Sequence, residues 1–148
     1  MNHLVAWAAL ISSLRHGVPV QQTWSILRIE SQYCKYTHST TNDLGCMQIN
    51  IKTARALKLN VKALKYDNWY NIDEGVKILK SIENKRICLY NVGRLTKKRY
   101  KSCLKYERRY NEIHNTVAIV ERGGTCHRYD GYRRHGEKFI QNRIPLRW

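Results

Sequence analysis

A chain of 148 residues, 43% of them apolar, is long enough for one domain with a real core and has the composition of an ordinary soluble globular protein. Its charge is not ordinary. With 27 Lys and Arg against 11 Asp and Glu the formal net charge is +16, which favours anionic partners such as nucleic acid, anionic lipid, lipopolysaccharide or an acidic wall polymer and says nothing about fold.

An apolar run from Leu4 to Leu14 is too short to span a bilayer and lacks the preceding Lys or Arg of a secretory signal. It reads as a first core helix, His3 to Arg15, stopped at Gly17. No transmembrane segment is expected, and the protein is expected to be made in a cytoplasm. Pro19 opens a second helix, with Val20, Trp24, Leu27, Ser31 and Cys34 as its inward stripe and Ile26 and Glu30 along the edge. The polar run HSTTND, 38–43, reads as loop. Asn50 caps a short helix, IKTARALKL, and Asn60 another, VKALK. Ile72, Val76, Leu79 and Ile82 predict a longer helix over Asn68 to Lys85. From Arg94 to Arg109 there are eight Lys or Arg and one acid, Glu107. Tyr100, Cys103, Leu104 and Tyr110 form an apolar stripe there, so this is an amphipathic helix whose cationic face is either solvated or set against an anionic surface. From about Asn115 the character changes: TVAIV looks like a short strand, and ERGG and YDGY supply turns. The expected architecture is mainly α with a small irregular or β element in the C-terminal segment. Residues 1–114 form the main domain and 115–148 a basic extension packed on it.

The five cysteines (34, 46, 88, 103 and 126) are an odd number with no CxxC spacing. This argues against a complete disulfide framework and a zinc ribbon, and for mostly reduced thiols. His114, Cys126, His127 and His135 match no standard ligand spacing, so no metal is expected.

On a helix, an acid meets cations three or four places away. Asp73 and Glu74 reach Lys77, Glu83 reaches Lys80, and Glu112 reaches Arg108 and Arg109. Among the helical acids only Glu30 and Glu107 have no such partner, and periodicity does not choose between them. A carboxyl with apolar neighbours near a helix C-terminus is pushed towards its neutral form, as a glycosidase acid requires. The plainer reading is a glutamate held by backbone or a distant base.

The spacing around Glu30-Ser31 separates them. Ser39 follows Glu30 by nine residues, and Gly45-Cys46-Met47-Gln48-Ile49 places Gln48 eighteen after it. This resembles the ES…S…GLMQI signature of lytic transglycosylases of the soluble-transglycosylase type, with Cys46 for the usual Leu. Asn71-Ile72 with Gly75 and Leu79 resembles the family's NI-x-x-G-x-x-x-L segment. Tyr90-Asn91-Val92-Gly93 resembles its YNxG motif, Tyr100 the tyrosine near the start of its last helix, and VPVQQTWSILRIES its entry into the catalytic helix. The likeness covers about Leu4 to Tyr110.

The resemblance implies a lysozyme-like fold and cleavage of the bond between N-acetylmuramic acid and N-acetylglucosamine, with Glu30 as acid and then base and a 1,6-anhydro product. It implies substrate contacts from Ser39, Met47, Gln48, Tyr90, Asn91 and Tyr100. Gln48 and Asn91 suit sugar hydroxyls and acetamides, and tyrosines suit stacking. Packing alone is the alternative for each. No cofactor is expected, and a monomer acting on peptidoglycan glycan strands is. Lack of a signal, small size and basicity suggest a phage endolysin or a wall enzyme carried in a virion. Three rivals stand beside this reading: a hydrolytic muramidase like goose-type lysozyme, with Asp43 activating water; a basic DNA-binding or packaging protein; and a wall-binding module that has lost catalysis, which the presence of Glu30 disfavours.

Overall fold

The computed structural model describes residues 2–37, 42–93 and 96–121. Helix α1, His3–His16, is capped by the Asn2 side chain and ends where Gly17 turns left-handed at φ 63°. Its inward face is small (Val5, Ala8, Ala9, Ser12 and Ser13), while Leu4, Trp7 and Leu14 are exposed. Pro19 precedes α2, Val20–Ser31. A bond from Ser13 Oγ to Thr23 Oγ1 ties α1 to α2 at 2.7 Å.

Strands β1, Asp43–Leu44, and β2, Ile49–Asn50, form an antiparallel hairpin pairing Asp43 with Asn50. Helices α3, Ile51–Ala56, and α4, Val61–Tyr66, start at Asn50 and Asn60, whose side chains accept from Lys52 N and Ala63 N. Helix α5, Asn68–Ser81, is the central element, with every residue from Asn71 to Val76 buried. Expected ion pairs form along it and just past its end: Lys77 Nζ lies 2.6 Å from Glu74, and Lys80 Nζ lies 2.6 Å from Glu83, two residues beyond the helix. Helix α6, Leu89–Val92, a short 3-10 helix, Lys97–Arg99, and α7, Tyr100–Glu121, complete the described chain. Helix α1 packs on α5, and α2 packs on α7.

The mainly helical expectation holds, and one local reading changes. Among the described residues the sheet is the 43–50 hairpin, and the expected turns and extension over residues 122–148 lie outside them. TVAIV is the last part of α7, which also carries the chain without a break past residue 114. A short apolar, β-branched run suits either state, and continuation of an existing helix decides it. The cysteines are also not mostly reduced. Cys34 bonds Cys46 and Cys88 bonds Cys103, with Cα atoms 4.4 and 4.9 Å apart. The partners stand 12 and 15 residues apart in sequence, and tertiary folding brings them together, which spacing alone does not reveal. Cys126, His127 and His135 lie outside the described residues, and His114 stacks on Tyr110 at 5.1 Å.

Candidate active site

Glu30 is the penultimate residue of α2. Ser31 next to it closes the helix: its Oγ accepts from Cys34 N at 2.8 Å and donates to Leu27 O. The chain then passes through three successive left-handed residues, Gln32, Tyr33 and Cys34. Each costs about 1–2 kcal/mol outside glycine. The Cys34–Cys46 disulfide holds the end of this turn against the Gly45–Gln48 segment.

That segment is held from α5. Asn71 Oδ1 accepts from Met47 N at 2.7 Å, while Nδ2 donates to Leu44 O and Leu64 O at 2.8 and 2.9 Å. Gly45 has φ +67°, and a Cβ there would lie 2.3 Å from Asn71 Nδ2, so only glycine suits the position. A Cβ on Gly75 would lie 2.6 Å from Met47 Cβ. Two residues of the NI-x-x-G segment therefore seat the methionine turn. From the other side, Tyr90 Oη donates to Met47 O at 2.8 Å.

These elements enclose an open cleft of about 600 Å³. Glu30, Gln48, Tyr90 and Asn91 line it together with Asp43 and Asn50. Gln48 is itself left-handed at φ 47°, and its Nε2 donates to Gly45 O at 2.7 Å. Asn50 Nδ2 donates to Asp43 Oδ1 at 2.8 Å. Met47 and Tyr100 do not line this cleft. Met47 is fully buried against Gly75, so its backbone, not its side chain, is what Asn71 and Tyr90 use. Tyr100 is 47% exposed, with the Arg86 guanidinium over its ring. Ser39 lies outside the described residues.

A tyrosine that sequence reading missed takes the central place. Tyr106, on α7, donates its hydroxyl to Glu30 Oε1 at 2.6 Å. The signal was present, because Cys103, Tyr106 and Tyr110 follow i, i+3, i+7 spacing and are all buried. Burial pushes the Glu30 carboxyl up to about 7; the Tyr106 bond and the charge of Arg109 lower it, and Asp43 adds a smaller upward push. Burial and the charge of Glu30 drive the Tyr90 and Tyr106 phenols well above their ordinary range. Glu107, the other acid without a helical neighbour, receives the Arg86 guanidinium through Nε at 2.9 Å and through Nη2, and its pKa is lowered. That partner is 21 residues away in sequence, beyond any test of helical neighbours. The arrangement therefore presents one carboxyl that holds its proton near neutral pH, on a cleft lined by amides and a tyrosine.

No curated protein and no solved structure matches the chain significantly. The family profile described as "Transglycosylase SLT domain" matches residues 9–113, a span that contains Glu30, the Asn71–Gly75 support, Tyr90 and Tyr106. The chain belongs to that family: it is a peptidoglycan lytic transglycosylase of the lysozyme-like superfamily.

Proposed function

We propose that Glu30 cleaves the β-1,4 bond between N-acetylmuramic acid and N-acetylglucosamine without water. Its protonated carboxyl gives the proton to the glycosidic oxygen as the bond to the anomeric carbon breaks. The substrate acetamido group stabilises the positive charge that develops on the sugar. The carboxylate then takes the proton of the muramic acid 6-hydroxyl as that oxygen closes on the anomeric carbon, giving a 1,6-anhydro end and restoring the acid. One observation carries this reading: a buried carboxyl on the cleft, bonded to Tyr106, whose pKa burial raises to about 7. Gln48 and Asn91 would hold hydroxyls and acetamides, Tyr90 would flank a sugar, and Ser39 would orient the acetamido oxygen.

One observation favours the hydrolytic alternative, namely that Asp43 lines the same cleft and its charge acts on Glu30. The masses of products from digested peptidoglycan decide between them. Anhydro ends support the proposal; reducing ends, heavier by one water, establish a hydrolytic muramidase instead, and loss of that activity in Asp43→Asn would then assign the water to Asp43. Glu30→Gln is expected to abolish either activity. Two disulfides support work outside a reducing cytoplasm, on a wall reached after release from a host cell or from a virion.

A further inference from the structure

The acids of the described chain are unevenly spent. Asp73 and Glu74 pair with Arg15, His16 and Lys77; Glu83 pairs with Lys80, and Glu107 with Arg86. Asp67 caps α5. None falls in residues 51–66 or 96–106. Those two acid-free segments bring Lys52 and Arg99 to the cleft lining. The same segments carry Arg55, Lys58, Lys97 and Lys98, all exposed. Among the described residues Lys52 and these four make no ion pair with an acid. Stability does not account for Lys52, because the first turn of a helix disfavours a cation.

We propose that Lys52 and Arg99 are specificity residues that receive the free carboxylates of the peptide stems carried by muramic acid, so that the enzyme selects anionic, peptide-bearing strands. The proposal rests on the lytic reading above. In a peptide-bearing strand the muramic carboxyl is taken up in the amide to the stem, so the hexose rings offer cations beside the cleft hydrogen bonds but no opposite charge, and the free carboxylates are those of the peptide. A stem carboxylate receives two charge-assisted contacts there without entering the space around Glu30.

The test measures kcat/KM on peptide-bearing strands free of teichoic acid, and on the same strands after carbodiimide conversion of their carboxylates to amides. For the unmutated protein the ratio is expected to fall about tenfold on amidation, the size of two exposed ionic contacts. In Lys52→Gln/Arg99→Gln the ratio should approach one, while Lys62→Gln/Lys65→Gln, which removes equal charge away from the cleft lining, should retain the preference. Equal cleavage of both strands by the unmutated protein overturns the proposal. So does a Lys52/Arg99 variant that keeps the full preference, or a Lys62/Lys65 variant that loses it, since either assigns the effect to net charge. If the unmutated protein breaks no glycosidic bond in either strand, the lytic reading fails and takes this proposal with it.

Discussion

The Tyr106 hydroxyl bonds the ionised form of Glu30 more strongly than the protonated form, so it draws the pKa down while burial drives it up to about 7. The ordinary value, 4.5, is what the unfolded chain has. Between those values the folded protein keeps a proton that the unfolded chain has lost. Stability therefore falls as pH rises from about 4.5, and the loss is complete above about 7. The shift corresponds to a burden of up to about 3 kcal/mol at pH 8. Glu30→Gln keeps an acceptor for Tyr106 and removes the charge. It should be more stable than the unmutated protein at pH 8 and equal to it at pH 4 in chemical denaturation, with no lytic activity at either. Equal stability at pH 8 would mean that Glu30 is not strained by its burial. Tyr106→Phe removes the bond that favours the carboxylate, so the alkaline limb of kcat/KM should move to higher pH. The rate should fall about tenfold, as expected for one hydrogen bond to an ionisable group. A lower rate with an unmoved limb would confine Tyr106 to packing.

Helix α5 and the turn it supports show how backbone placement becomes chemistry. A methyl group on Gly75 has no room beside Met47, and overpacking of this kind costs about 1–3 kcal/mol. Gly75→Ala should lower the melting temperature and also lower kcat, since the displaced turn carries Gln48 into the cleft. The two disulfides act on the same parts. Cys34–Cys46 fixes the left-handed turn after Glu30 to the methionine turn, and Cys88–Cys103 fixes the start of the α6 segment bearing Tyr90 to the helix bearing Tyr106. Closing loops of this length stabilises by about 3 kcal/mol each. Treatment with a thiol reductant should lower thermal stability and extinguish activity while the helical circular dichroism persists at room temperature. Activity unchanged in the reduced protein would show that the cleft is assembled without them. The same elements show what is legible in a sequence. Asn50, Asn60, Gly17 and Pro19 act on their own helix ends, so local rules find them. The Asn71–Gly75 and Gly45–Gln48 pieces are legible as motifs, although their mutual contact is not. Tyr106 on Glu30, Arg86 on Glu107 and both disulfides depend on how α2 and α6 meet α7. No spacing within one segment encodes that.

At the scale of the molecule, the paired acids sit on α5, at Glu83 just past it and at Glu107, while every charged residue in 51–66 and 96–106 is a cation. Such a distribution attracts a polyanionic wall before any specific contact forms, and raises the rate of encounter more than the rate of the chemical step. Exposed charges are screened over about 8 Å at physiological salt and about 3 Å at 1 M. Binding to purified sacculi should therefore weaken steeply from low salt to 0.5 M NaCl, while kcat at saturating substrate changes little. Reversing charge at Lys97 and Lys98, both exposed and outside the cleft lining, should weaken binding at low salt. The two proteins should then converge as salt rises, because the screened term is the one removed. Sedimentation of bound enzyme with sacculi measures this directly. Binding that is insensitive to salt, or variants that stay apart at high salt, would assign adhesion to short-range contacts in the cleft rather than to the field of the +16 chain.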